Sequence, residues 1–415
     1  MRSPRVTRRA AALARVSVQQ LPTDRRRPSV ALLGCLTAID AIAIDSYVPA
    51  LPTIQRDFLT NPAAVQWTLS VFLVGIAVGQ ALWGPVSDRF GRRLPLLLGL
   101  LAYVAGSVAG AIAPDLASLV AARLAQALGA SAGLVLARAV VGDVWPGHEA
   151  ARLYSVMMQV LGLTALVSPL MGGALLTAGS WRLVFAAMTV VGTACLLWTL
   201  AGLPETHPES ARSGPRLAGP FVGYVEPLRD PSFIWATACA ALAMAAMFVL
   251  IAGSPFIFIG MLGWSNFQFS MFYAVTSVAF VAMCEANNWL LRRMSPYAIL
   301  SRGLALQLSL MAVWLVAIVM GIAGAGLIAA VVTALMGVLG LTLGNAVAEA
   351  MRRAPAAHLG SSSAIIGVAQ FVVSAAVTPL ATARSDVGLS VALAATACAG
   401  LAALASARAH RGAVA

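Results

Sequence analysis

Twelve apolar runs of about twenty residues follow one another along this chain, near 30–52, 65–86, 94–114, 117–141, 152–178, 181–203, 231–253, 267–291, 298–322, 324–351, 357–381 and 387–408. At about 1.5 Å per residue, each is long enough to cross the ~30 Å hydrocarbon core of a bilayer. A span in lipid has no water to satisfy its backbone, so runs of this kind fold as helices. The chain is 60% hydrophobic and 10% charged, with a mean hydropathy of +0.87. A water-soluble protein of 415 residues could not cover so much apolar surface. The expected fold is an all-α membrane protein.

The polar intervals set the organisation. Residues 1–29 form a basic cytoplasmic tail with eight arginines, able to lie on an anionic inner leaflet. Residues 30–203 hold six helices, 204–230 make a cytoplasmic linker, 231–408 hold six more, and 409–415 form a short cytoplasmic tail. The first apolar run is long enough to stay in the membrane and reads as a start-transfer helix, not a cleaved signal. Every basic residue of the Lys/Arg class is arginine, and all but Arg56, Arg123, Arg182 and Arg384 fall in alternate loops, the tails or the span ends next to them. That bias places both termini in the cytoplasm. Two halves of six spans suggest two homologous six-helix bundles. Asn288-Trp-Leu-Leu-Arg292-Arg293-Met-Ser295 echoes the basic turn at Gly84–Gly91 in the other half.

The net charge of +12 does not make a nucleic-acid binder, because no soluble domain presents a basic face. Five cysteines (Cys35, Cys195, Cys239, Cys284, Cys398) lie singly in apolar runs, and the four histidines fall in loops or near helix ends. No metal, cofactor or nucleophilic arrangement is expected, and no enzyme.

Ionisable groups inside hydrocarbon are costly and face the bundle interior or a watery cavity. Asp45 lies about 24 Å along the first helix, on a face with Gly34, Thr37, Ala38 and Ala41. Arg123 lies about 10 Å into the fourth helix, with Gln126, Ala127, Ala130 and Ser131 continuing its face. Their similar depth suggests a pair, since pairing offsets the cost of burying either charge. Such a pair serves proton or substrate coupling, or simply fixes packing. Asp40 is about 140° around the helix from Asp45 and aligns instead with Tyr47. Glu285, about two turns before Arg292, is placed to snorkel to the cytoplasm. The fifth helix carries Ser168-Pro169 followed by Gly172-Gly173, a combination that interrupts the backbone ladder and lets helices approach. Ser363, Gly367, Gln370, Ser374 and Thr378 form a polar stripe on the eleventh helix. Phe248, Phe256, Phe272, Tyr273 and Phe280 are candidates to floor an apolar pocket.

Between the second and third runs stands Gly84-Pro-Val-Ser-Asp88-Arg89-Phe-Gly91-Arg92-Arg93. Three arginines within five residues form a cytoplasmic anchor; Gly84 and Gly91 allow a close approach and a tight turn. The spacing resembles the signature loop of major facilitator superfamily transporters. The first helix, Asp45-Ser-Tyr47-Val-Pro49-Ala-Leu-Pro52, resembles that of Bcr/CflA-type drug:proton antiporters in this superfamily. So do Gly79-Gln80-Ala-Leu-Trp-Gly84-Pro, Arg123-x2-Gln126-x2-Gly129, Arg138-Ala-Val-Val-x-Asp143, Ser168-Pro169-Leu-Met-Gly172-Gly173 and Gly253-Ser254-Pro255-Phe256.

The resemblance implies a major facilitator fold in the cytoplasmic (inner) membrane. It implies a monomer that exports small, mostly apolar drugs or toxic compounds in exchange for protons. Asp45 would be the proton and substrate site and Arg123 its modulator. From their charges alone, Asp88 and Arg92 are expected to hold the cytoplasmic side closed in the outward-facing state, through charge-assisted bonds that break on opening. Ser168, where the pattern has Gly or Ala, and the additional acids Asp40 and Glu285 depart from it. They leave open a dedicated exporter of one endogenous metabolite or antibiotic. A non-transporting receptor or scaffold is the remaining alternative.

Overall fold

The computed structural model describes residues 27–145, 147–207, 225–355, 359–384 and 386–411. Expectations about most of the basic tail, the middle of the linker and the last four residues lie outside them. Twelve helices are long and apolar enough to span a bilayer. We number them α1 (Val30–Asp57), α2 (Pro62–Phe90), α3 (Arg93–Ala111), α4 (Leu116–Val144), α5 (Arg152–Ala178), α6 (Arg182–Gly202), α7 (Pro231–Met261), α8 (Asn266–Leu290), α9 (Pro296–Val319), α10 (Ala325–Arg352), α11 (Ser361–Thr382) and α12 (Val387–Arg411). No strand occurs among the described residues.

Three helices outrun the apolar pattern at a proline. In α1 the first α-helical segment stops at Asp45. A 3-10 turn over Val48–Ala50 and a further helix over Leu51–Asp57 follow. Pro49 and Pro52 occupy the first turns of these segments, where no N–H is needed, so they restart the helix. In α7 a π-helical stretch, Phe256–Met261, follows Pro255. The second helix continues through Gly84 and Pro85 to Phe90. The basic signature is therefore mostly helix, and the turn itself is Gly91, whose φ of 85° suits glycine. Gly84 has no neighbour within 4 Å of where a Cβ would stand. The close approach expected of it is not made.

Helix packing repeats. In the first half α1 packs on α4, α5 and α6, α2 on α4, and α3 on α4 and α6. Adding six to every number reproduces the neighbours of the second half: α7 on α10, α11 and α12, α8 on α10, and α9 on α10 and α12. The contacts between halves obey the same two-fold rule, α5 against α8 and α11 against α2. Two repeats, each a six-helix bundle, account for this. Leu98, Leu101, Val190, Leu197, Val313 and Val316 point outward, which suits a surface solvated by lipid. We call the end carrying Arg92 the basic face and the other end the opposite face.

Candidate functional site at the bundle interface

Asp45 is the last residue before the break in α1 and is buried. Its Oδ1 accepts a hydrogen bond from the Tyr273 hydroxyl of α8 at 3.1 Å. The carboxylate therefore meets the other bundle, and the pair expected with Arg123 is not formed.

Arg123 is fully buried inside the first bundle. Its Nη1 donates to the Ala43 carbonyl at 3.0 Å and to Gln126 Oε1 at 2.7 Å. The guanidinium carbon stands 4.2 Å from the Tyr47 ring centroid and 4.0 Å from that of Phe72, with Phe185 at 6.0 Å. Three π-faces surround the cation in place of a carboxylate. Among the described residues its Nε and Nη2 have no hydrogen-bond partner. Tyr47 is fixed by a hydroxyl–hydroxyl bond to Thr68 of 2.6 Å, and Gln126 Nε2 donates to Ser107 Oγ at 2.8 Å.

The geometry of a helix explains why the pair fails. Ala43 and Tyr47 are four residues apart and share a face, whereas Asp45 is two residues from each, about 200° away. Depth brings Asp45 and Arg123 level, and azimuth separates them.

The other sequence candidates divide. Asp40 is buried, and its Oδ1 accepts the Ala41 N–H of its own helix at 2.8 Å. Glu285 is exposed and accepts from Asn288 at 3.3 Å. In the α11 stripe, Ser374 and Thr378 each donate to a carbonyl one turn back, at 2.6 Å, so both hydroxyls are spent within the helix. Phe272 lines a concavity of about 640 Å³ between α8 and α10 with Ala279, Met283, Ala330, Ala334 and Gly337. No ionisable residue lines it, so it stands apart from the buried charges. Phe248 packs against Phe371 of α11 with centroids 6.4 Å apart.

The fifth-helix motif joins the bundles. A Cβ on Gly172 would strike the Ser46 carbonyl of α1, and one on Gly173 the Ser270 side chain of α8. Ser168 is buried and Pro169 lies within the helix. Two further bonds cross between bundles. Ser277 Oγ of α8 donates to the Ala165 carbonyl of α5 at 3.0 Å. Gln66 Nε2 of α2 donates to the Ala252 carbonyl of α7 at 2.7 Å. Together with Tyr273–Asp45, these bonds lie from mid-depth toward the opposite face.

At the basic face Arg92 gathers the first bundle. Its Nη1 donates to Asp88 Oδ1 at 2.6 Å and Ser87 Oγ at 2.7 Å, and its Nε to Asp143 Oδ2 at 2.8 Å. Glu205, just beyond α6, accepts from the backbone N–H groups of Arg92 at 2.8 Å and Arg93 at 3.2 Å. Arg93 Nη2 reaches the Leu200 carbonyl at 2.8 Å, and Arg89 lies over the Phe90 ring. Burial works against the Arg92 charge, but its bonds to Asp143 and Asp88 outweigh that and hold the guanidinium above its ordinary value. The second bundle has its own cluster, in which Glu349 Oε2 accepts from Arg353 at 2.6 Å and Arg352 at 2.9 Å. Among the described residues no hydrogen bond or ion pair joins the two bundles at this face.

The Major Facilitator Superfamily profile matches residues 33–379. The chain belongs to the Major Facilitator Superfamily. A Bacillus subtilis (strain 168) protein named as an uncharacterised MFS-type transporter, YdgK, is 31% identical over 63% of this chain and 66% of its own length. The match thus spans slightly under two thirds of that relative. A chloramphenicol resistance protein of Pseudomonas aeruginosa is 29% identical, covering 71% of this chain and 70% of the relative. A bicyclomycin resistance protein homolog of Haemophilus influenzae (strain ATCC 51907 / DSM 11121 / KW20 / Rd) is 26% identical, covering 83% and 86%. Among solved structures, a D-xylose-proton symporter superposes with a TM-score of 0.70 at 19% identity, covering 90% of this chain and 94% of that one. At that identity the likeness concerns the fold alone. As a major facilitator with twelve spans, this is a multi-pass transporter of the cytoplasmic membrane.

Sequence reasoning missed Tyr273 as a partner of Asp45, Gln66 and Ser277 as inter-bundle donors, and Glu205 as part of the basic cluster. Glu205 stood in plain view as an acid directly after a span, but read only as linker. Pro169 and Pro255 were the signals for the other two, since each removes a donor from its helix ladder.

Proposed function

We propose that this major facilitator exports small, mostly apolar compounds in exchange for protons, by rocking the bundles 30–203 and 231–408 about the site between them, with the basic face in the cytoplasm. The buried Asp45 carboxylate, bonded across the interface to Tyr273, carries the reading. It is an ionisable group at the boundary that must open and close. The relatives named for chloramphenicol and bicyclomycin resistance support drugs of that size as cargo.

An ionised carboxylate accepting a hydroxyl makes a charge-assisted bond, which holds the empty, deprotonated carrier shut at the opposite face. Cargo arriving from the basic face competes with Tyr273 for Asp45 and loosens that closure. A proton taken up at the opposite face then displaces the cargo. The carrier returns, releases the proton inward, and works as a monomer. A membrane potential contributes about 2.3 kcal/mol per charge per 100 mV, ample for concentrative export. Arg123 modulates the site indirectly: it fixes the Ala43–Tyr47 face of α1 and so sets the direction in which Asp45 points. Asp88 and Arg92 keep the basic ends of the first bundle rigid and close the cytoplasmic side in the outward-open state.

Proteoliposomes under an imposed pH gradient test the proposal with chloramphenicol as cargo. Export coupled to proton counterflow is expected. Movement that ignores the gradient would exclude antiport.

A further inference from the structure

Two of the bonds between bundles end on backbone carbonyls, one freed directly by a proline and the other beside a proline where the helix changes pitch. In α5 the Ala165 carbonyl would pair with the N–H of residue 169. That residue is Pro169 and has none. Ser277, from the other bundle, supplies the donor. In α7, Pro255 leaves the Ile251 carbonyl without its helical partner, and the Ser254 hydroxyl fills that place at 3.0 Å. The next carbonyl, Ala252, would ordinarily receive the Phe256 N–H. That N–H closes instead on Gly253, three residues back, a local tightening just before the π-stretch begins. Gln66 of the first bundle takes the Ala252 carbonyl at 2.7 Å.

The arrangement is reciprocal. Each bundle offers one carbonyl beside a proline and one side-chain donor for the other's. Gln66 is fully buried, and its Oε1 has no partner, so the bond to Ala252 is the amide's described anchor. Ser277 has an alternative acceptor in its own helix, the Tyr273 carbonyl at 3.1 Å. Its hydroxyl can turn to that carbonyl when the bundles part. Opening thus costs more at Gln66 than at Ser277.

We infer that Gln66 and Ser277 are positioning residues that latch the opposite face shut by satisfying helix carbonyls beside Pro255 and Pro169 across the interface, and that their bonds set the balance between the two access states. This rests on the alternating-access reading and adds to it which atoms hold the closed side. It also gives Ser168-Pro169 a purpose: Pro169 frees an acceptor that Ser277 of the opposite bundle fills in the closed state, whereas the carbonyl freed by Pro255 is filled within its own helix by Ser254.

The test measures access without cargo. Spin labels on cysteines at Ile112 and Met320, both exposed at the opposite face, report the separation of the bundles in lipid nanodiscs. The full chain is used, with its five native cysteines replaced. Gln66→Leu should enlarge the long-distance population about tenfold and Ser277→Ala about threefold, as expected for removing single hydrogen bonds of unequal cost. Ser277→Thr, which keeps the hydroxyl, should restore the wild-type distribution.

Distributions unchanged by Gln66→Leu and Ser277→Ala, in a protein whose wild type does shift between two distances with pH, would overturn the latch and leave alternating access standing. A wild type fixed at one distance at every pH would overturn both. Lower thermal stability without any redistribution would reduce the two residues to packing. Should Gln66→Leu fail to assemble, Ser277→Ala and its Thr rescue carry the test alone.

Discussion

In the first bundle α4 carries Arg123 and Gln126 through the core, the cation ringed by Tyr47, Phe72 and Phe185. Counted from the helix start, its counterpart α10 passes the same depth with Val332 and Leu335, both buried. The basic ends differ likewise. The first bundle uses a loop arginine, Arg92, to tie α2 and α4 together, and Glu205 to hold the start of α3. In the second bundle the α8–α9 loop leaves Arg293 over the Trp289 ring, and Glu349 pairs with arginines of its own helix. The repeated packing of helices demands only that contacting surfaces fit, which small and apolar residues achieve in either half. Charge in hydrocarbon is costly and is kept where it is used. The buried charges Asp40, Asp45 and Arg123 therefore all belong to the first bundle, and the second meets Asp45 with Tyr273.

The largest expected effect lies at Asp45. Asn keeps the shape and can still meet Tyr273, but cannot ionise. Asp45→Asn should insert and fold normally and lose pH-driven export by at least about a hundredfold, roughly 3 kcal/mol of coupling. Expression, ligand binding and flux measured on one preparation decide it. Normal flux would move the coupling to Asp40, where Asp40→Asn is the next variant.

Arg123→Leu makes the first bundle resemble the second. Replacing a buried charge by an apolar side chain is often near neutral for stability, so the melting temperature should change little. Flux should drop by about tenfold, because α1 loses the contact that orients Asp45. If flux persists, the cage is packing, and the difference between the bundles has no functional content on this side.

At the basic faces the two clusters should separate stability from transport. Glu349→Gln leaves Arg353, whose side chain is 6% exposed, short of its carboxylate, and should destabilise the second bundle by about 3 kcal/mol in denaturant titration. Asp88 is half exposed, and Arg92 retains Asp143. Asp88→Asn should therefore cost less than about 1 kcal/mol yet still slow transport severalfold. Transport at the normal rate would leave the signature as an anchor alone. The smallest effect belongs to Tyr273→Phe, which removes one oxygen. It should raise futile return of the empty carrier by about threefold, read as proton leak without cargo.

Span positions, their number and the doubled architecture were legible in the sequence, because length and hydropathy suffice to say which segments can live in lipid. Asp45, Arg123 and Gln126 announced themselves as polar residues in apolar runs. Their partners did not. Tyr273 read as one aromatic among several in α8, and nothing near it in the chain marks it as facing a residue of α1. Gly84 shows the converse: a motif position whose expected contact is not made in this arrangement of the bundles.

By itself the sequence determined depth and possibility. A rise of about 1.5 Å per residue places Asp45 and Arg123 at one level, and Pro169 and Pro255 guarantee carbonyls without helical donors. Only the tertiary structure decided direction and partnership. Facing depends on azimuth summed through the breaks at Asp45 and Pro255, and on which of twelve helices lies opposite. So Arg123 went to an aromatic cage in its own bundle, Asp45 to a tyrosine in the other, the carbonyl freed by Pro169 to Ser277 and that of Ala252 to Gln66, because those donors were the ones that packing brought within reach.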